Sequence, residues 1–182
     1  MSYGILVLRL VLGLTMAAHG AQKLFGVFGG SGPRGTARNF ERLAFRAPLL
    51  MAFGAGLAEF GGGLLFAGGL LTPLAALAIA VVMVNAVVTT HLANGFWSSR
   101  GGYEYNLLVW TAAVAVAATG AARFSFDRLL SIDDNISGLW CGVGVAALSI
   151  VVSAGTLVLG RRLDRGETTR AKDEPEVLGK AA

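Results

Sequence analysis

Apolar residues run through this chain in long stretches without the alternation of a strand. Five stretches stand out, at about Tyr3–Gln22, Ala47–Leu71, Pro73–Ala93, Tyr105–Ala122 and Ile136–Gly160. A bilayer core of roughly 30 Å needs about 20 apolar residues at ~1.5 Å rise per residue. Backbone amides find no water there, so spanning segments are helices or closed barrels. Unalternating runs of this length predict helices. The expected fold class is all-α, a polytopic membrane helix bundle.

The polar positions between the runs mark the ends. Met16–Thr36 starts in an apolar helix, carries His19 near its end, and breaks into glycines. Thr36–Phe45 reads as a short interfacial helix with Phe40, Leu43 and Phe45 toward lipid. Pro73 suits a helix start, where its missing N–H would be unpaired anyway. The segment from Arg161 is charged, poor in apolar residues and expected to be disordered. Gly30 to Gly35 matches GxGxxG, but the dinucleotide reading needs a preceding strand; a helix precedes it here. Gly54, Ala58 and Gly62 have the spacing of closely packed membrane helices. Tight packing is the expectation for them, and a glycine-lined ligand slot is the other reading.

Only 14% of the residues are charged, against about 25% in soluble domains. Twelve of the 15 Lys and Arg residues lie in the first and third loops and the tail, which places those on the cytoplasmic side. The N-terminus is then outside and the C-terminus inside. The net charge of +4 therefore reflects topology, and nucleic acid is not an expected partner. Arg9 interrupts the first apolar run, which does not read as a cleavable signal. Cys141 is the single cysteine, so no disulfide framework or CxxC chemistry exists within the chain.

Ionisable groups inside a bilayer cost on the order of 3 kcal/mol and usually face a partner in the bundle interior. Helical rise counted from the first loop puts Arg9 and Glu59 at similar depths, so an Arg9–Glu59 ion pair is expected. It reads either as a packing device or as a site where Glu59 binds a proton or a polar headgroup. His19, Gln22, His91, Glu104 and Tyr105 cluster near the first-loop face, with Asn85 deeper. They are expected to line one polar, aromatic pocket, with Glu104 orienting a histidine and Phe96, Trp97 and Tyr105 as walls or interface anchors. A quinone head, flat with two carbonyl oxygens, suits such a pocket. A b-type haem would need two histidines facing each other. No EXXH or HXXH spacing points to a metal, and no Ser-His-Asp or Walker-type arrangement is visible.

At these residues the chain resembles the DoxX family of small bacterial membrane proteins. The likeness is carried by Arg9 with Gly13, His19-Gly20-Ala21-Gln22-Lys23-Leu24-Phe25-Gly26, Glu59-Phe60-Gly61-Gly62, Thr72-Pro73, His91 with Gly95-Phe96, and Gly102-Tyr103-Glu104-Tyr105. It implies a four-helix membrane core over residues 1–130, to which this chain adds a transmembrane helix over 131–160 and a tail over 161–182. It also implies redox chemistry, since relatives include a subunit of a thiosulfate:quinone oxidoreductase and mycobacterial members tied to a complex handling oxidative and thiol stress. The expected function is a quinone-interacting or anchoring component of such a complex in a bacterial plasma membrane. The alternatives are a non-catalytic scaffold recruiting soluble enzymes and a b-haem-binding subunit. The expected partners are the lipid bilayer and other redox proteins, with self-association and catalysis left open. No inverted repeat argues for transport.

Overall fold

The computed structural model describes residues 2–161, so the tail expectation lies outside the described residues beyond Arg161. Seven α-helices follow in order: α1 Ser2–Phe25, α2 Gly32–Arg42, α3 Pro48–Gly68, α4 Thr72–Ala86, α5 Glu104–Thr119, the short α6 Phe126–Leu129, and α7 Leu139–Gly160. No named strand occurs among the described residues. Helix α4 continues through a π-helical turn, Val87–His91, and a 3-10 turn, Leu92–Asn94.

Four of the helical segments are long and apolar enough to cross a membrane: α1, α3, α4 with its extension to Asn94, and α7. Helix α5 has 16 residues, about 24 Å, yet it runs the depth of the bundle. Its start lies beside the loop after α4, where Glu104 N–H donates to the Phe96 carbonyl, and its far end leads to Ala121 beside Arg9. The outward faces are apolar, with Val11 64%, Leu57 60%, Leu108 65% and Val151 65% exposed. In water that surface would aggregate; in a bilayer it meets acyl chains.

The fold is an all-α membrane helix bundle. Helix α1 packs along α3, α3 on α4, α4 on α5, and α7 against both α4 and α5. Small residues set the first of these contacts. A Cβ at Gly13 would strike the backbone of Gly63 and Ala67, and one at Gly20 that of Gly56 and Phe60. Helix α7 is tied in by hydrogen bonds as well. Trp110 Nε1 donates to Ser149 Oγ at 3.1 Å, and Ser153 Oγ donates to the Val81 carbonyl at 3.2 Å. At its end, Arg46 N–H donates to the Gly160 carbonyl at 2.8 Å. Helix α7 therefore finishes on the face that carries the α1–α3 loop, and Ser2 starts on the other.

Candidate functional site

Arg9 and Glu59 are both buried, at 1% and 3% exposure, but they do not pair. Arg9 donates to four carbonyls: Phe66 and Ala67 at the end of α3, and Ala121 and Phe124 after α5. These are helix-end and loop oxygens with few other partners. Asp127, also 1% exposed, lies within Coulomb reach of the guanidinium. Its carboxylate accepts from Leu71 N–H at 2.7 Å, Thr72 N–H at 3.0 Å and Thr72 Oγ1 at 2.5 Å, capping the start of α4 from a distant loop. Glu59 instead forms its ion pair with Lys23.

The pairing expectation failed on depth. The α1–α3 crossing sets Gly13 against Gly63 and Ala67, and Gly20 against Gly56 and Phe60. Counted along it, Arg9 lies level with Gly69, and Glu59 with His19. That is about ten residues of α1, or ~15 Å. A count of helical rise from the first loop treats the two helix ends as level, whereas α3 begins beyond the end of α1.

Around Glu59 the structure opens a cavity of about 410 Å³ between α2, α3, α4 and α7. Small residues make room for it: Gly54, Ala55 and Ala58 line it, and nothing lies within 4 Å of a Cβ placed on Gly54. The Gly54-Ala58-Gly62 spacing thus divides its work. Gly62 packs on Ala75, Ala78 and Ile79 of α4, while Gly54 and Ala58 face open space. Helix α2 roofs the cavity. Phe40, Leu43 and Phe45 are lining residues, and Phe45 is 3% exposed with its ring edge-on to Phe40 at 5.3 Å. The lipid-facing expectation for these three is corrected. Phe45 is buried and Phe40 and Leu43 are half-buried against the bundle, and the arginines at positions 34, 38 and 42 take the exposed side.

The polar groups sit on this apolar chamber's walls. Lys23 and Glu59 meet at one side; Asn85, Thr89 and Thr90 stand on α4 and its π-turn. A π-turn is an uncommon local structure found often at functional sites. Asn85 Nδ2 donates to the Val81 carbonyl at 3.1 Å, and its Oδ1 is buried without a partner.

Of the expected pocket residues, Asn85 lines the cavity. His19, Gln22, His91, Glu104 and Tyr105 do not. Gln22 Nε2 holds the Phe28 carbonyl at 2.9 Å, pinning the glycine loop. His91 Nδ1 bonds the Gly101 carbonyl at 2.7 Å. Glu104 orients no histidine: its Oε2 accepts from Ser98 N–H at 3.0 Å and Ser98 Oγ at 2.9 Å, which keeps its carboxyl below the usual range at the helix mouth. Phe96 and Trp97 stack edge-on with each other at the exposed surface, 41% and 59% exposed, and do not line the chamber. His19 and Tyr105 lie near Glu59 without lining the chamber. Lys23 and Asp127 stand outside the site residues expected from the sequence. Glu59's need for a cation near its own depth, and an acid between two arginines beside a helix start, were the available signals.

Among the described residues no three His, Cys, Asp or Glu side chains gather as a metal site. The arrangement can hold an amphipathic molecule by its polar end, with apolar walls for the remainder.

The DoxX family model matches residues 4–92, which hold α1 to α3 and α4 with its π-turn. An uncharacterized membrane protein of Mycobacterium tuberculosis is 31% identical over 137 residues, spanning 70% of this chain and 81% of that protein. No solved structure matches the chain. Arg9, Glu59 and the glycine crossing between α1 and α3 all fall within the matched family region, and the chain belongs to the DoxX family of membrane proteins.

Proposed function

We propose that this DoxX protein binds the polar head of a lipid-soluble redox carrier, of the quinone class, as a non-covalent component of a membrane redox assembly handling oxidative or thiol stress. The observation that carries the reading is the chamber under α2. A volume of about 410 Å³ lies in the range of small-molecule sites, which are mostly apolar with a few placed polar groups. Here those groups are the Lys23–Glu59 pair and Asn85. This moves the head-group site away from His19, His91 and Glu104. With no histidine on its walls, the chamber gives a haem no axial ligand. The bacterial relative favours a bacterial plasma membrane, and the excess of Lys and Arg on the first-loop side favours an N-terminus outside.

The test is purification in mild detergent, followed by solvent extraction and chromatography of bound isoprenoids. The wild-type protein should carry quinone at a substantial fraction of one per chain. Glu59→Gln should fold but lose most of it. Absence of bound quinone, with no uptake of an added short-chain quinone, would overturn the proposal.

A scaffold reading is favoured by one separate feature. Arg34, Arg38 and Arg42 recur every four residues on the exposed side of α2, a basic stripe suited to an acidic soluble partner. If that is the function, replacing all three by Gln removes co-purifying proteins and Glu59→Gln leaves them.

A further inference from the structure

We propose that a groove between the first turn of α3 and the last turns of α7 seats one anionic phospholipid, its phosphate on Arg46 and an acyl chain along the groove. This seat adjoins the chamber at Met51 and Thr156, but it does not depend on the carrier proposed above.

The groove has a volume of about 390 Å³. Met51 forms one side, Gly155, Thr156 and Leu159 the other, and Arg46 stands at the rim. Helices α3 and α7 each pack on α4. They are tied together at one end, where Arg46 N–H donates to the Gly160 carbonyl and Phe45 lies against Gly160. Below that tie Gly155 leaves room: nothing lies within 4 Å of a Cβ built on it. Thr156 spends its hydroxyl hydrogen on the Val152 carbonyl at 2.8 Å, so the wall it offers is mostly apolar.

Depth identifies the occupant. Helix α3 has 21 residues and α7 has 22, about 31 and 33 Å, each close to the thickness of the hydrocarbon core. Pro48 and Gly160 therefore stand at its boundary. Arg46, two residues before Pro48, is level with lipid phosphates. Met51 and Gly155, three and five residues inside those ends, lie about 4 to 8 Å into the acyl region. Arg46 is exposed, and its guanidinium has no hydrogen bond or ion pair among the described residues. A basic pocket between spanning helices suits a lipid head, and a guanidinium fits phosphate oxygens. Arg161 adds a second cation at this end, with its guanidinium carbon 5.6 Å from the centre of the Phe45 ring, and no acid lines the groove. Such a rim repels a choline cation and favours a head of net negative charge. Helix α7 lies outside the family match to residues 4–92, so half of this seat is contributed by the added helix.

The experiment places the full chain in nanodiscs of phosphatidylcholine with a minority of phosphatidylglycerol of the same chains. Native mass spectrometry then counts the lipids each chain retains. Wild-type protein should retain one phosphatidylglycerol, enriched about 5-fold over its share of the disc, the worth of one arginine at an anionic surface. Arg46→Gln should bring that ratio to the disc's own, since the backbone tie to Gly160 survives the change. Gly155→Leu fits the open space and should displace the retained lipid whatever its head. Arg38→Gln removes a charge from exposed α2, outside the groove, and should keep most of the enrichment. No enrichment in the wild type, enrichment that survives Arg46→Gln, or an equal loss in Arg38→Gln would overturn the proposal. So would a lipid-free dimer that Gly155→Leu dissociates, which would make the groove a contact between two copies of the chain.

Discussion

Arg9 and Asp127 carry opposite charges into the same end of the bundle, and each is satisfied mainly by backbone. The guanidinium collects the carbonyls closing α3 and following α5, and the carboxylate collects the N–H groups opening α4. Helix α1, the α3–α4 turn and the segment after α5, three regions distant from one another in sequence, are thereby fixed to each other. Breaking a buried charge arrangement by removing one member is costly, about 3–5 kcal/mol, because the remainder stays unpaired. Arg9→Met is expected to lose stability in that range, measured by unfolding in mixed detergent micelles. Asp127→Ala should lose about 1–2 kcal/mol through the vacated cap, and the double variant less than the sum, since the two share one network. Glu59 behaves differently. Its partner Lys23 keeps a side chain 28% exposed and can turn toward water, so Glu59→Gln should cost ligand rather than fold. Equal stability losses for Arg9→Met and Glu59→Gln would show that the two charges have the same structural role.

At the scale of the helices, glycines sort into those that admit another backbone and those that admit a ligand. Gly13, Gly20 and Gly63 let the backbones of α1 and α3 cross at close range; Gly54 meets nothing. Gly20→Val should cost about 1–3 kcal/mol by forcing the helices apart. Gly54→Ala should stabilise by roughly 0.5–1 kcal/mol, because alanine loses less backbone freedom in a helix, while it narrows the chamber and weakens binding. A Gly54→Ala protein that binds as well as wild type would remove this wall from the site. The number of long helices and their approximate ends were readable, because a membrane span is a property of length and composition alone. The identity of partners was not. A count of residues along α1 and α3 fixes spacing within each helix, but the offset between them is set by where Gly13 and Gly20 find smooth backbone. A shift of about ten residues moved Arg9 from Glu59 to the carbonyls near Gly69. Likewise Phe40, Leu43 and Phe45 were legible as one apolar set at the end of α2 and just after it. Whether that set meets lipid or protein depends on the hollow that Gly54 and Ala58 leave beneath it, which no periodicity in α2 records.

Across the whole molecule, five helices of the bundle alternate in direction, and α5 does so with 16 residues. The ends of α1, α4 and α7 therefore share a face with α2 and the roof of the chamber. The Arg9–Asp127 network and the α5–α7 connection share the other. Lys and Arg are concentrated on the first of these faces, and that bias sets orientation because positive loops resist translocation. With the proposed orientation, the chamber lies in the cytoplasmic half of the bilayer. Cys141 is the chain's single cysteine, so a Cys141→Ala background permits single-cysteine mapping. In intact cells, a membrane-impermeant maleimide should label Ser131→Cys, beyond α6, and spare Arg38→Cys on α2 until the membrane is opened. The reverse pattern would place the chamber in the outer half, and the basic stripe on α2 would then face away from any cytoplasmic partner.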